Sequence, residues 1–168
     1  MQRTARTITG LLIAVAIGTG CSSATNPQVP EGAMALEIRE FPAAITPYLY
    51  TGIAERQRLA IDDAAEWRAF WNRVTSTTVP QPPVPEIDFA SEIVIIAAMG
   101  TRPSGGYAIH IDDVSEADGR VFVKVREVSP GTNCIVTMAL TAPVVAVRIP
   151  RRAGAVTFVE QTEVRNCQ

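Results

Sequence analysis

Four kinds of hydrophobic pattern divide the chain. Ile8 to Ile17 is a short, mainly apolar run close to the start. Alternation follows at Met34–Phe41 and Ile53–Ile61, and again at Tyr107–Val114 and Arg120–Val128, while Val144–Ile149 and Val156–Gln161 complete the set of strands. Such a period of two predicts strands with one buried face. Ile93 to Met99 is apolar at every position, which predicts a strand buried on both faces. Trp67, Phe70, Trp71 and Val74 recur at helical spacing, with Asp63 placed to cap the helix and Glu66 three residues later. Most amphipathic helices bury such a stripe, so the two tryptophans are expected in a core rather than on a partner-binding face. The sum is an α+β domain: a mainly antiparallel β-sheet of about seven strands with one amphipathic helix packed on it.

The connections are as informative as the elements. Thr75 to Pro85 carries Pro80, Pro82, Pro83 and Pro85, the pattern of a stiff crossing from helix to central strand. Ser115 to Gly119 predicts a solvated acidic turn, because Asp112, Asp113, Glu116 and Asp118 lack the alternate spacing of a calcium loop. Cys134 to Leu140 reads equally as strand or bent coil. Gly100-Thr101-Arg102-Pro103-Ser104-Gly105-Gly106-Tyr107 joins the apolar strand to the next one. Pro103 fixes its own φ, and each glycine admits a positive φ without steric cost. A hairpin turn and a rigid partner-binding loop fit this stretch equally well. In a turn Arg102 would be a free surface cation; in a binding loop it and Tyr107 would be anchors.

The first apolar run is too short to span a bilayer comfortably and follows the basic positions Arg3 and Arg6, which is the anatomy of a secretory signal. Small residues lead directly into Cys21, as in a bacterial lipobox, where the cysteine is diacylated and becomes the new N-terminus. Gly18 stands where that motif usually has leucine, and a plain secreted protein is the alternative. Residues 1–20 are thus expected to be a lipoprotein signal peptide, 21–33 a flexible tether and 34–168 a single domain. Losing the first twenty of 168 residues would leave 148, and losing Arg3 and Arg6 would move the net charge from −2 to −4. That length suits one domain with its own core. Arg151-Arg152 is the longest basic run, so nucleic-acid binding has no electrostatic footprint.

With Cys21 given to lipid, Cys134 and Cys167 remain as an even pair in an exported chain, and a disulfide between them is expected. One histidine and no Cys-x-x-Cys leave metal and other cofactors without support. His110 would have to serve any histidine-assisted nucleophile, and Ser104 is not in a nucleophile elbow, since Arg102 occupies a glycine position of that motif. Gly100 and Gly105 have phosphate-loop spacing, but Gly106 and Tyr107 replace its lysine and hydroxyl residue. No enzyme is expected.

The Gly100–Tyr107 loop resembles the C-terminal domain of the PrcB family, named for a subunit of a bacterial surface protease complex. Members carry Gly-x-Arg-Pro-Thr-Gly-Gly-Tyr after an apolar strand, with Ser104 here in place of the threonine. Pro130-Gly131, Cys134, Thr137, Leu140, Thr141 and Pro143 resemble a second stretch of that family. The resemblance spans roughly residues 93–158. It implies an extracytoplasmic, lipid-tethered accessory module that binds a protein, with a protease as the candidate partner, and carries no reaction. It adds the expectation of a cell-envelope location with membrane attachment through Cys21. A weaker similarity links Pro103–Tyr107 to the wedge loop of chagasin-type protease inhibitors, which are β-sandwiches. The predicted helix and strand count speak against that fold.

Overall fold

The structure, a computed structural model, describes residues 26–41 and 51–167. Its elements are β1 (Met34–Ala35), β2 (Arg39–Glu40), β3 (Arg56–Ile61), α1 (Ala64–Val74), β4 (Glu92–Met99), β5 (Ala108–Ala117), β6 (Arg120–Pro130), β7 (Val144–Pro150) and β8 (Val156–Arg165). The eighth strand arises because the alternation at Met34–Phe41 is broken in two. Ala35 pairs with Ser115 in one sheet and Arg39 with Arg148 in the other, while Leu36 is buried between them.

The strands form two sheets of four, in the orders β1-β5-β6-β8 and β2-β7-β4-β3. The mainly antiparallel β domain with one packed helix expected from the sequence is what forms, its strands divided between two facing sheets with the helix as a third layer. The reason lies in β4, whose last seven residues are buried. Ile93, Ile95, Ala97 and Met99 meet Ile109, Val121, Val123 and Val125 of the facing sheet. Val94, Ile96 and Ala98 meet the helix. A strand apolar at every position needs a layer on each side, and this one has them.

Pairing is antiparallel except between β6 and β8, which run parallel. The chain leaves β6 for β7 in the opposite sheet, then returns to lie beside β6. The turn read as Ser115–Gly119 is tighter than expected: both strands run up to Asp118-Gly119, whose φ angles are 50° and 67°. Positive φ at both central residues gives a two-residue hairpin whose twist suits the flanking strands.

The helix forms as its signals predict. The Asp63 carboxylate accepts from the amides of Ala65 and Glu66, satisfying two of the first-turn donors. Trp67, Phe70, Trp71 and Val74 are buried, with the two indole rings 5.4 Å apart. The proline-rich crossing supplies the polar partners that buried indoles require. Trp67 Nε1 donates to the Pro85 carbonyl and Trp71 Nε1 to that of Pro82.

Candidate functional site

The Gly100–Tyr107 loop is not a hairpin turn. β4 belongs to one sheet and β5 to the other, so the loop carries the chain across the sandwich. Its backbone groups therefore need partners elsewhere. Thr101 N–H donates to the Ala54 carbonyl at 2.9 Å, and Gly105 N–H to that of Thr137 at 2.9 Å. Arg102 and Thr141 exchange two backbone bonds, and the Thr141 hydroxyl donates to the Ser104 carbonyl at 2.9 Å. The two stretches that carry the family resemblance, apart in sequence, are thus one hydrogen-bonded double loop.

The glycines permit this contact. A Cβ on Gly105 would overlap Thr137 Oγ1. Gly106 has φ 86°, and a Cβ there would sit 2.9 Å from Val136 Cγ1. Pro103 and Gly106 are exposed, while Ser104, Gly105 and Tyr107 are half-buried. The stretch lies against residues 137–141 along its length, unlike a wedge that projects freely.

Arg102 is a member of a charge cluster rather than a free cation. Its guanidinium lies 3.8 Å from a Glu127 oxygen and 5.8 Å from the Tyr107 ring centroid. Glu127 also receives Arg56 and Arg58, and both of those reach Glu160. The cluster joins β3 of one sheet to β6 and β8 of the other. Arg56 and Arg58, the charged positions of the Ile53–Ile61 alternation, therefore face the opposite sheet. Burial by itself would push the Glu127 carboxyl up and the Arg58 guanidinium down. Hydrogen bonds and charge outweigh both effects: Arg58 and Arg56 hold Glu127 below its usual range, and Glu160 with Glu127 holds Arg58 above its own.

Cys134 and Cys167 form a disulfide with their Cα atoms 5.0 Å apart, fastening the C-terminal tail to the far side of the double loop. Asn133 reinforces the join: its side-chain amide donates to the Cys167 carbonyl and accepts from the Cys167 amide. Gly131 N–H donates to the Arg165 carbonyl at 2.8 Å.

The feature that sequence reasoning missed lies between these anchors. Ile135, Met138 and Leu140 have relative exposures of 103%, 90% and 60%. Residues 129–143 contain no Asp, Glu, Lys or Arg. An uncharged segment whose apolar residues fit neither period was the available signal, because a chain held by a disulfide and a second loop need not bury them. Single exposed apolar residues are ordinary; three in six positions on a braced loop suit contact with another surface.

His110 stands opposite Arg126 on the outer face of its sheet, with Nε2 buried and unpartnered. Burial, then the Arg126 charge, keeps its pKa below the ordinary value. Arg126 forms a paired bond with Asp112, which titrates low because of it. Among the described residues no group of three His, Cys, Asp or Glu side chains is placed to hold a metal ion. No helix among them is long and apolar enough to cross a membrane. Cys21, the expected lipidation site, lies outside the described residues, as does the segment 42–50.

Residues 93–150 match the family model described as PrcB C-terminal. The match covers about a third of the chain, from β4 to β7, and includes both halves of the double loop. No curated protein and no solved structure matches the chain.

Proposed function

We propose, for a chain whose residues 93–150 match the PrcB C-terminal family model, that it is an exported, lipid-anchored accessory module of the bacterial cell envelope. Its work is to bind another protein, a component of an envelope protease complex being the partner that the family's name suggests. The observation that carries this reading is the exposure of Ile135, Met138 and Leu140 on a loop held at both ends. A braced apolar surface loses little conformational freedom on contact, so more of its burial appears as affinity. The Arg102–Gly106 half supplies the polar rim beside it, a common anatomy for interfaces between proteins. The leader and Cys21 motivate the export and the anchor, and the disulfide is at home in an oxidising compartment.

The inhibitor reading gains something from the two-sheet fold, because the strand count no longer opposes it. It loses more from the bonding of Arg102–Gly105 to residues 137–141, which leaves no freely projecting wedge. Placing a photo-cross-linking residue at Met138, in the full chain on intact membranes, tests the proposal. A discrete protein adduct is expected from Met138 and none from Arg120, which is exposed at the hairpin tip at the other end of β6. Equal labelling from both positions, or none from Met138, would refute it.

A further inference from the structure

Asn26 lies within the stretch that the sequence assigns to a tether, yet it is joined to the domain. Its side-chain amide donates to the Glu160 carbonyl at 2.8 Å and accepts from the Glu160 amide at 3.2 Å. The side chain thereby acts as a peptide group added to the outer edge of β8, the last strand of its sheet. Residues 27–33 then carry the chain to the opposite edge, where Met34 pairs with Glu116.

From this attachment we infer that the β8 edge of the domain faces the lipid headgroups of the membrane holding the anchor, with Asn26 as the positioning residue. The inference rests on the proposed lipidation of Cys21. Five residue steps separate Cys21 from Asn26 and can span at most about 17 Å, whereas a tether reaching to residue 34 would span about 45 Å. A domain of this length has a radius of gyration of about 14 Å, so the shorter leash holds the β8 edge closer to the anchor than the far edge, a bias that a 45 Å tether would not impose. The charges along β8 suit that placement. Glu160 is paired with Arg56 and Arg58, and Glu163 with Arg126, so an anionic headgroup layer meets no unpaired carboxylate on this strand. Arg165 adds an exposed cation near its end. The double loop, at the C-terminal end of β8, then points along the membrane plane, and its protein partner is reached there.

The test uses the full lipidated chain in vesicles of phosphatidylethanolamine and phosphatidylglycerol containing a spin-labelled headgroup lipid. A fluorophore is attached at Gln161→Cys on β8 or at Met34→Cys on β1, both exposed and at opposite edges of one sheet. Quenching at least threefold greater at position 161 than at 34 is expected. Adding Asn26→Ala should bring the two positions to within about a factor of 1.5 while the melting temperature stays with the parent. Equal quenching at both positions in the parent, or a difference that survives Asn26→Ala, overturns the inference and leaves the lipid anchor intact. A chain that does not float with the vesicles removes the anchor itself, and the inference with it.

Discussion

Arg102 and Thr141 face each other as a two-residue antiparallel bridge, with N···O distances of 2.7 and 3.0 Å. This bridge makes the Gly100–Tyr107 stretch and the 130–143 stretch a single object. The spacing of glycines in the first stretch is matched to side chains in the second.

That matching can be measured at Gly105. Its φ is not in the left-handed region, so alanine costs nothing in backbone conformation, but the added Cβ meets Thr137 Oγ1. Gly105→Ala should destabilise the protein by about 1–2 kcal/mol, the usual scale for overpacking. In a Thr137→Ala background the penalty should fall below about 0.5 kcal/mol, the ordinary scale of additivity between non-interacting sites. Denaturant melts of the four proteins give the coupling. Additive losses would mean that the two segments are not in contact.

The cluster between the sheets ranks its arginines. Arg58 has only 10% of its side chain exposed and donates to both Glu127 and Glu160. Arg58→Met would leave Glu127 and Glu160 to the half-exposed Arg56 and should cost about 2 kcal/mol, less than breaking a buried pair outright. Arg102 is further from Glu127, which retains Arg56 and Arg58 without it. Arg102→Ala should cost about 1 kcal/mol, as expected of a partly exposed ion pair and a ring contact. Equal losses for the two variants would contradict this ordering.

Sequence patterning reached the elements that answer to local rules. The Asp63 cap, the Trp67–Trp71 stripe and the two buried faces of β4 follow from spacing alone, because each needs only its own segment. Which sheet each strand joins depends on distant partners, so the alternation around Leu36 gave no sign that the chain changes sheets there. Arg58 shows the same limit: alternation separates two faces but does not say what lies opposite each. The disulfide was legible from cysteine count. Ile135 and Met138 were not, since a loop fastened at its ends can expose apolar residues that an unconstrained chain would bury.

Removing the disulfide should cost about 4 kcal/mol in the chain-entropy model for its separation of 33 residues. The Cys134→Ser/Cys167→Ser protein should show that loss in denaturant midpoint, with the helix and both cores retained by circular dichroism. A change below about 1 kcal/mol would indicate that the bridged loop is already restrained in the unfolded chain.

His110 is the only histidine, and its folded-state pKa lies below the ordinary 6.5, through burial first and the Arg126 charge second. The unfolded chain therefore takes up a proton before the folded one does. The stability that neutral His110 contributes is complete above pH 6.5 and is lost as pH falls from there through the lowered value. Unfolding free energies at pH 7 and pH 5 should differ more for the parent than for His110→Asn. An identical difference in both proteins would show that the imidazole is not perturbed in the fold.

The most direct measurement compares partner affinity with folding stability in the Ile135→Ser/Met138→Ser/Leu140→Ser protein. These side chains are exposed, so the melting temperature should stay within about 2 °C of the parent, as for surface changes elsewhere. If the double loop is the binding surface, affinity for the cross-linked partner should fall at least 30-fold, the loss of about 2 kcal/mol that marks an interface anchor. Unchanged affinity in a protein that melts like the parent would contradict the account.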